Sequence, residues 1–418
     1  MSKTTPIDVL ILGGGIQGVT LMRELIPEYS VILVDDDLSN AESLHFHGYF
    51  SSGWNAANPR AAEIYRIAAQ RWHQDLANMR VNSRTTDFHA ALPLEFLSSI
   101  EGNWRGAGIP FEEVPLPQPF DAGGLPSHRS FRFADDIVFD GAEAYRSVAD
   151  PLRQQIYRGR VASFQCGDSV IERTTLDVNG QACEIVPELV ISACGAGNTT
   201  VLEQLGVDAA LVQNTQLVRP LHMLLARGME VPPVSAFLMD LIVMYHPLET
   251  GEGLWILTLN PETPKIRAGI VDVRIPPEIE KDLVCASFDR LSSVMGDFER
   301  WAEDCDWSVY AGWKTDAPGP EGPPLIQLDY PTPYHLEDFG WQNFLAVWPN
   351  HWGLAVDAAN DTGKWVRARL KSKHPQPGGE SDLFPHAGKG HMLQNKWQSE
   401  DLSWQPWEDF AQQMGYRN

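Results

Sequence analysis

Residues 9–37 read VLILGGGIQGVTLMRELIPEYSVILVDDD. An apolar run, Val9 to Leu12, ends on three glycines. Leu21, Met22, Leu25 and Ile26 then follow at helical spacing, and Pro27 closes the stretch. Val31 to Val34 is a second apolar run of strand length, and it ends on three aspartates. Strand, helix and strand in this order predict a β-α-β unit with a parallel pair. Gly13-Gly14-Gly15-Ile16-Gln17-Gly18 satisfies G-x-G-x-x-G. Gly13 permits the tight turn, Gly15 lets the backbone approach a pyrophosphate, and Gly18 allows close helix–strand packing. The helix start at Ile16 and Gln17 offers N–H groups and a positive dipole end to phosphates. Asp35 lies 22 residues beyond Gly13, where an acid accepts hydrogen bonds from ribose hydroxyls. Asp36 and Asp37 beside it repel a 2′-phosphate and disfavour NADP. The stretch therefore predicts a dinucleotide site rather than a glycine-rich turn.

The 418 residues are long for one core and predict two domains. Hydrophobic residues make up 43% of the chain, well outside a disordered composition. No apolar run is long enough to span a bilayer, and the N-terminus carries no cleavable pattern, so a soluble, cytoplasmic protein is expected. The net charge of −23 argues against nucleic acid and against anionic membranes as partners. Cys166, Cys183, Cys194, Cys285 and Cys305 contain no C-x-x-C pair, so neither a structural metal site nor a disulfide framework is expected.

Along the chain, residues 59–80 read as a helix, and 102–135, rich in Gly and Pro, as loop or edge structure. GAEAYRSVADPLRQQI reads as another helix. RVASFQCGDSVIERTTLDVNGQACEIV reads as antiparallel strands, with Asn179-Gly180 a hairpin signal. LVISACGAG returns to a buried strand. Residues 211–310 are rich in strands and then helical. NFLAVWPNHWGLAVDAANDTGKWVRARL reads as strand, turn and helix. Ten of the fourteen tryptophans follow residue 300, which points to an aromatic pocket supplied by the last third. The predicted fold class is α/β, a Rossmann-type domain with a discontinuous second domain on a mixed, largely antiparallel sheet. Residues 1–60, 140–210 and 320–370 are assigned to the first, 61–139 and 211–319 to the second, and 371–418 to a tail wrapping the surface.

After the aspartates comes SLHFHGYFSSGW, Ser43 to Trp54, with no second short β-α-β unit. Here the sequence resembles the D-amino acid oxidase superfamily of FAD-dependent oxidoreductases. The resemblance implies FAD as the cofactor, with His45, Phe46, His47 and Gly48 passing under the flavin. Four further segments are similar to the family's. ELVISACGAGNTTVL resembles its sheet-closing strand and A-x-G-A turn, on Ala193, Gly195 and Ala196; RVASF resembles the segment that meets adenine, at Val161. YAGWKTDAPGPEGPPLI resembles its G-x-R-P stretch, and AVWPNHWGLAVDAANDTGKWV its final segment. That last resemblance implies that the backbone from His351 through Trp352, Gly353 and Leu354 faces the flavin's pyrimidine end. The chain departs from the pattern at Lys314, where many relatives have arginine, and at Thr315, where they have proline. A lysine does not make the bidentate fork of an arginine.

The resemblance implies hydride transfer from a CH–NH or CH–OH carbon of a small molecule, with O₂ or another electron acceptor reoxidising the flavin. His47, Lys314 and His351 are the candidate catalytic residues. Tyr245, His246 and Trp348 are the candidate substrate residues, although strand alternation leaves open which of Tyr245 and His246 points inward, and the same holds for Arg219 and His222. Some relatives link flavin to a histidine; here a non-covalent flavin is expected. The alternatives are a flavin-dependent monooxygenase, which usually carries a G-D-A-A-H segment not found here, and a non-catalytic FAD-binding protein.

Overall fold

The apolar runs on either side of the glycines lie side by side. Thr5–Leu12 and Val31–Asp35 are parallel, with Val9 opposite Val31 and Leu12 opposite Val34. This computed structural model describes residues 5–38, 41–56, 58–81, 86–125, 127–178, 180–259, 271–316, 334–349, 351–370, 374 and 393–417. On the other side of Thr5–Leu12 runs Gln181–Ser192, parallel, followed by Phe344–Pro349, also parallel. Tyr334–Glu337 closes that edge antiparallel, and Ile156–Arg158 closes the other, parallel to Val31–Asp35. Arg160–Gly167 and Val170–Val178 extend the sheet as an antiparallel meander from Gln181–Ser192. Both faces are covered, which is why the central strands read as unbroken apolar runs. Val9, Ile11, Val31 and Leu33 pack with Val19 and Met22 of helix Ile16–Leu25. Leu10, Leu12, Ile32 and Val34 pack on the opposite side with Leu176 and Leu202.

Among the described residues the second sheet has nine strands. From edge to edge they are Gln405–Pro406, Asp306–Asp316, Leu217–Gly228, Gly253–Leu259, Leu241–Pro247, Ser235–Leu238, Phe88–Pro93, His128–Phe133 and Phe111–Glu113. All neighbouring pairs are antiparallel except Ser235–Leu238 with Phe88–Pro93. One face of this sheet meets the first domain; the other packs Phe288, Leu291 and Trp301 from helices Lys281–Val294 and Phe298–Glu303. The α/β architecture with a Rossmann-type opening and a mixed second sheet is therefore present as expected.

Two segments differ from the sequence reading. The stretch 102–135, expected as loop or edge, begins inside helix Leu94–Ala107. Leu97, Ile100 and Trp104 bury at helical spacing, a signal diluted by Gly102 and Gly106. The tail from 371 was expected to wrap the surface. Residues 405–406 instead add a strand against Asp306 and Trp307. Helix Trp407–Met414 then buries Trp407, Phe410, Ala411 and Met414 against Phe288 and Trp307. Spacings of three and four residues make that face continuous. Asn395, fully buried, accepts from Ala142 N at 2.8 Å and donates to Asp140 Oδ1 at 2.7 Å, tying the same tail to the first domain.

The Phe410→Ala chain should lose about 3–5 kcal/mol of stability, the usual cost of emptying a buried phenyl site. The urea midpoint measures it; a loss below ~1 kcal/mol would show that the terminal helix is an appendage.

Candidate active site

A cavity of about 1360 Å³ runs between the two sheets. Pockets for single small molecules occupy roughly 300–1,000 Å³, so this one has room for a dinucleotide and a substrate together. Its first end is the glycine turn. Gly13 has φ +94°, and a Cβ there would lie 2.7 Å from the Ala193 carbonyl oxygen. A Cβ at Gly18 would lie 1.9 Å from the Gly13 oxygen, so Gly18 serves helix–strand packing and does not line the cavity. Gly15 has φ −63° and meets only the Ser43 hydroxyl, at 3.2 Å from an added Cβ. Ile16 N donates to that same hydroxyl at 2.8 Å. Gly15, the cap residue, puts no side chain over the helix start, which leaves space there for a phosphate. Gly13, Gly15, Ile16, Gln17, Asp36, Val161, Ala193 and Gly195 all line this end.

Asp35 accepts from Gly14 N at 2.6 Å and from Asp37 N at 2.9 Å. Burial pushes its carboxyl up to about 6, against the pull of those two N–H groups, and the neighbouring Asp36 adds to the rise. A carboxylate so placed gains from further donors, which a ribose diol supplies.

In the middle of the cavity stand His45, Phe46, His47 and Trp352. Phe46 stacks on Trp352, ring centroids 5.5 Å apart. Gly48 does not line the space: its φ is +68°, and a Cβ would strike the Phe139 carbonyl oxygen at 2.2 Å. It turns the chain. Gly353 and Leu354 also stand back. A Cβ on Gly353 would press 2.8 Å from the Phe50 ring, its carbonyl accepts from Trp72 Nε1 at 2.7 Å, and Leu354 is fully buried in core. The turn before helix Ala355–Arg369 packs inward, so of the four residues expected at the flavin's edge only His351 and Trp352 reach the cavity.

The side-chain nitrogens Gln17 Nε2, His47 Nδ1, Trp348 Nε1 and Trp352 Nε1 are buried, belong to cavity-lining residues and have no hydrogen-bond partner among the described residues. Such orphans are costly unless a ligand meets them. Together with the glycine cradle, these unpartnered groups fit an FAD-sized cofactor.

Beyond the flavin region lies a charged corner. Lys314 stands directly opposite Arg219 on adjacent strands. Both reach Asp316, through Lys314 Nζ at 3.3 Å and Arg219 Nε at 2.6 Å. All three line the cavity. Burial works against ionising Asp316, but the two cations outweigh it and hold its carboxyl well below the usual range. Burial also lowers the Lys314 ammonium, with Asp316 opposing. His351 faces the same space and meets Tyr65 edge-on, centroids 5.4 Å apart. Burial, then the Lys314 charge, push His351 down to about 3. The same two causes bring His47 to about 3. Both imidazoles are therefore neutral at ordinary pH.

Of the expected substrate residues, Trp348 lines the cavity, fully buried and stacked on His335 at 5.3 Å. Tyr245 and His246 do not. Tyr245 points to the outer face of the second sheet, against Val231 and Gly253. His246 points the other way but sits beneath the 45–48 segment, its Nε2 2.9 Å from the His47 carbonyl and its ring 5.0 Å from Trp397. His222 is likewise structural, accepting from Glu280 N at 3.0 Å. Arg219, Tyr65 and the Tyr49–Asp136 pair were not among the candidate site residues. Buried Asp136 takes the Tyr49 hydroxyl, Trp54 Nε1 at 2.7 Å and Ser52 N at 2.8 Å. Alternation left Arg219 open, and no local signal joins Asp136 to residues more than 80 positions earlier.

Among the described residues no cluster of ligating side chains fits a metal ion, and no helix is long and apolar enough to cross a membrane. Over 62% of its length the chain is 26% identical to a probable FAD-dependent oxidoreductase of Pseudomonas aeruginosa, covering 69% of it. That protein's crystal structure superposes with a TM-score of 0.64, 92% of this chain against 96% of that one, at 21% identity. Glycine oxidase from Geobacillus kaustophilus gives 0.63 at 15% identity, covering 89% and 97%. A glycerophosphate oxidase from Mycoplasma pneumoniae with FAD bound gives 0.64 at 15%, covering 90% and 98%. At such identities these structures speak for the fold. The family model for FAD-dependent oxidoreductases matches residues 8–345, and the chain belongs to that family.

Proposed function

We propose that this FAD-dependent oxidoreductase oxidises a CH–NH or CH–OH carbon of a small molecule that carries an anionic group. Bound FAD supplies a hydride acceptor at its N5 position. The observation that carries the reading is the Arg219–Lys314–Asp316 corner. Two cations share one carboxylate at the wall of the cavity, in a chain whose net charge is −23. A corner left with one surplus positive charge, largely buried at the cavity wall, attracts a substrate carboxylate. Asp316 takes the Nε edge of Arg219, and the ammonium of Lys314 adds a point charge beside it. The neutral rings of His351 and His47 contribute lone pairs and N–H groups without adding charge to compete for that anion.

The direct test is anaerobic mixing of the holoenzyme with amines, amino acids, hydroxy acids and their neutral analogues. Loss of the flavin's visible colour reports reduction. Bleaching by an acid but not by its amide supports the reading. No bleaching by any of them, with oxidation of a reduced nicotinamide instead, would make the protein a hydroxylase. Readmitting air then tells whether O₂ is an acceptor.

The Gly15→Val chain should fold, because φ there is ordinary and the only close neighbour is a hydroxyl, yet emerge colourless because the side chain enters the pyrophosphate path. A variant of wild-type FAD content would move the cofactor elsewhere.

The His351→Asn chain should keep its FAD and reduce it more slowly. With its pKa lowered to about 3, His351 holds no proton above about pH 5. Its folded value lies below the ordinary 6.5, so acid, not base, would charge it. His351 therefore contributes no limb near 6.5 to the wild-type pH profile of flavin reduction; a limb there that vanishes in the variant would contradict the neutral ring.

A further inference from the structure

Resting on that reading, we propose that the cavity holds a dry subsite for a large apolar substituent, so that the substrate is an acid with an aryl or long alkyl side chain rather than a small one. The subsite is built on one register line of the second sheet. Phe237 stands opposite Ile242, Ile242 opposite Thr258, and the Thr258 hydroxyl donates to Met223 Sδ at 3.0 Å. All four line the cavity. Three strand steps of ~4.8 Å make the row roughly 14 Å long. From Met223, alternate residues of the same strand, Leu221 and Arg219, also line the cavity and lead to the charged corner. Anion site and apolar row are thus two ends of one path.

The far end is closed by aromatic rings. Trp54 lies 5.3 Å from Phe237, and Tyr49 lies 4.6 Å from Phe88, between ring centroids. The polar atoms of these rings are already engaged. Asp136 holds the Tyr49 hydroxyl and the Trp54 indole N–H, and Met223 holds the Thr258 hydroxyl. The contrast with the flavin region is direct. Gln17, His47, Trp348 and Trp352 leave buried polar atoms unpartnered there among the described residues, while Tyr49, Trp54 and Thr258 leave none. A polar substituent placed over Phe237 would lose its water and find no partner, whereas an apolar one loses nothing. Glycine-sized substrates would leave the row empty.

The test needs no turnover. Straight-chain carboxylates from acetate to hexanoate are titrated into the holoenzyme, and the shift of the flavin's visible spectrum is read as binding. Each methylene should tighten binding about fourfold, the ordinary worth of a buried CH₂. Phe237→Trp, which fills the row, should lower the hexanoate-to-acetate affinity ratio by roughly tenfold or more. Ile242→Ala, which hollows it, should lower the ratio as well and serves if the first variant does not fold. A flat series, or a ratio unchanged in a folded variant, overturns the subsite. The two readings fail separately. A rising series with no acid able to bleach the flavin supports the subsite and rejects the proposed reaction. A flat series with bleaching by glycine-sized acids does the reverse.

Discussion

The structure depends on a place where no side chain fits. The first strand must end, turn and start a helix while that helix lies against the strand it has just left. The distance from an added Cβ at Gly18 to the Gly13 oxygen, 1.9 Å, states the constraint. Any residue other than glycine would push the helix off the sheet and carry Gln17 and the helix start away from the cavity. The same closeness leaves the backbone bare, and a bare backbone at a helix start is what a pyrophosphate needs. Packing and binding here are one requirement. Around it Tyr145 donates to the Gly14 carbonyl at 2.5 Å and Asp35 accepts from Gly14 N, so both sides of the turn are held by side chains from other elements.

The second constraint is electrostatic. In a chain whose net charge is −23, positive charge is gathered locally at the cavity wall. Lys314 and Arg219 face each other across a strand pair, and Asp316, two residues along from Lys314, keeps both cations in position. The pair cannot neutralise its surroundings fully, because one carboxylate serves two cations. Mutual contacts offset part of the cost of burying three charges, and the remaining positive potential faces the cavity. The histidines beside it lose their charge to burial and add none to the corner at ordinary pH.

The third element is the division of the cavity by polarity. Among the described residues, Gln17, His47, Trp348 and Trp352 keep buried nitrogens without partners, while Tyr49, Trp54 and Thr258 have theirs. Asp136 achieves the latter from outside the cavity. It draws the polar atoms of Tyr49 and Trp54 back into the wall and leaves ring surface forward. His246 performs a related service by holding the His47 carbonyl from below. Neither residue lines the space that it shapes.

Residues 9–37 alone determined the opening β-α-β unit, the dinucleotide site and the acid at the end of the second strand, because each of those features is a local consequence of period, turn chemistry and spacing. The order of the later glycine-bearing segments carried the family and the cofactor. Side-chain direction was not local in the same way. Whether Tyr245 or His246 met the cavity depended on which face of its strand the first domain covered, and the answer was neither, since the 45–48 segment had already taken the space above His246. Gly353 and Leu354 follow the right motif, but their turn is pulled inward by Phe50 and Trp72. The terminal helix was read as a surface tail although its apolar spacing is helical, and only the Phe288 and Trp307 side chains behind the second sheet made it part of the core. Arg219 and Asp136 came into place through strand register and long-range pairing, which join residues that no stretch of sequence places together.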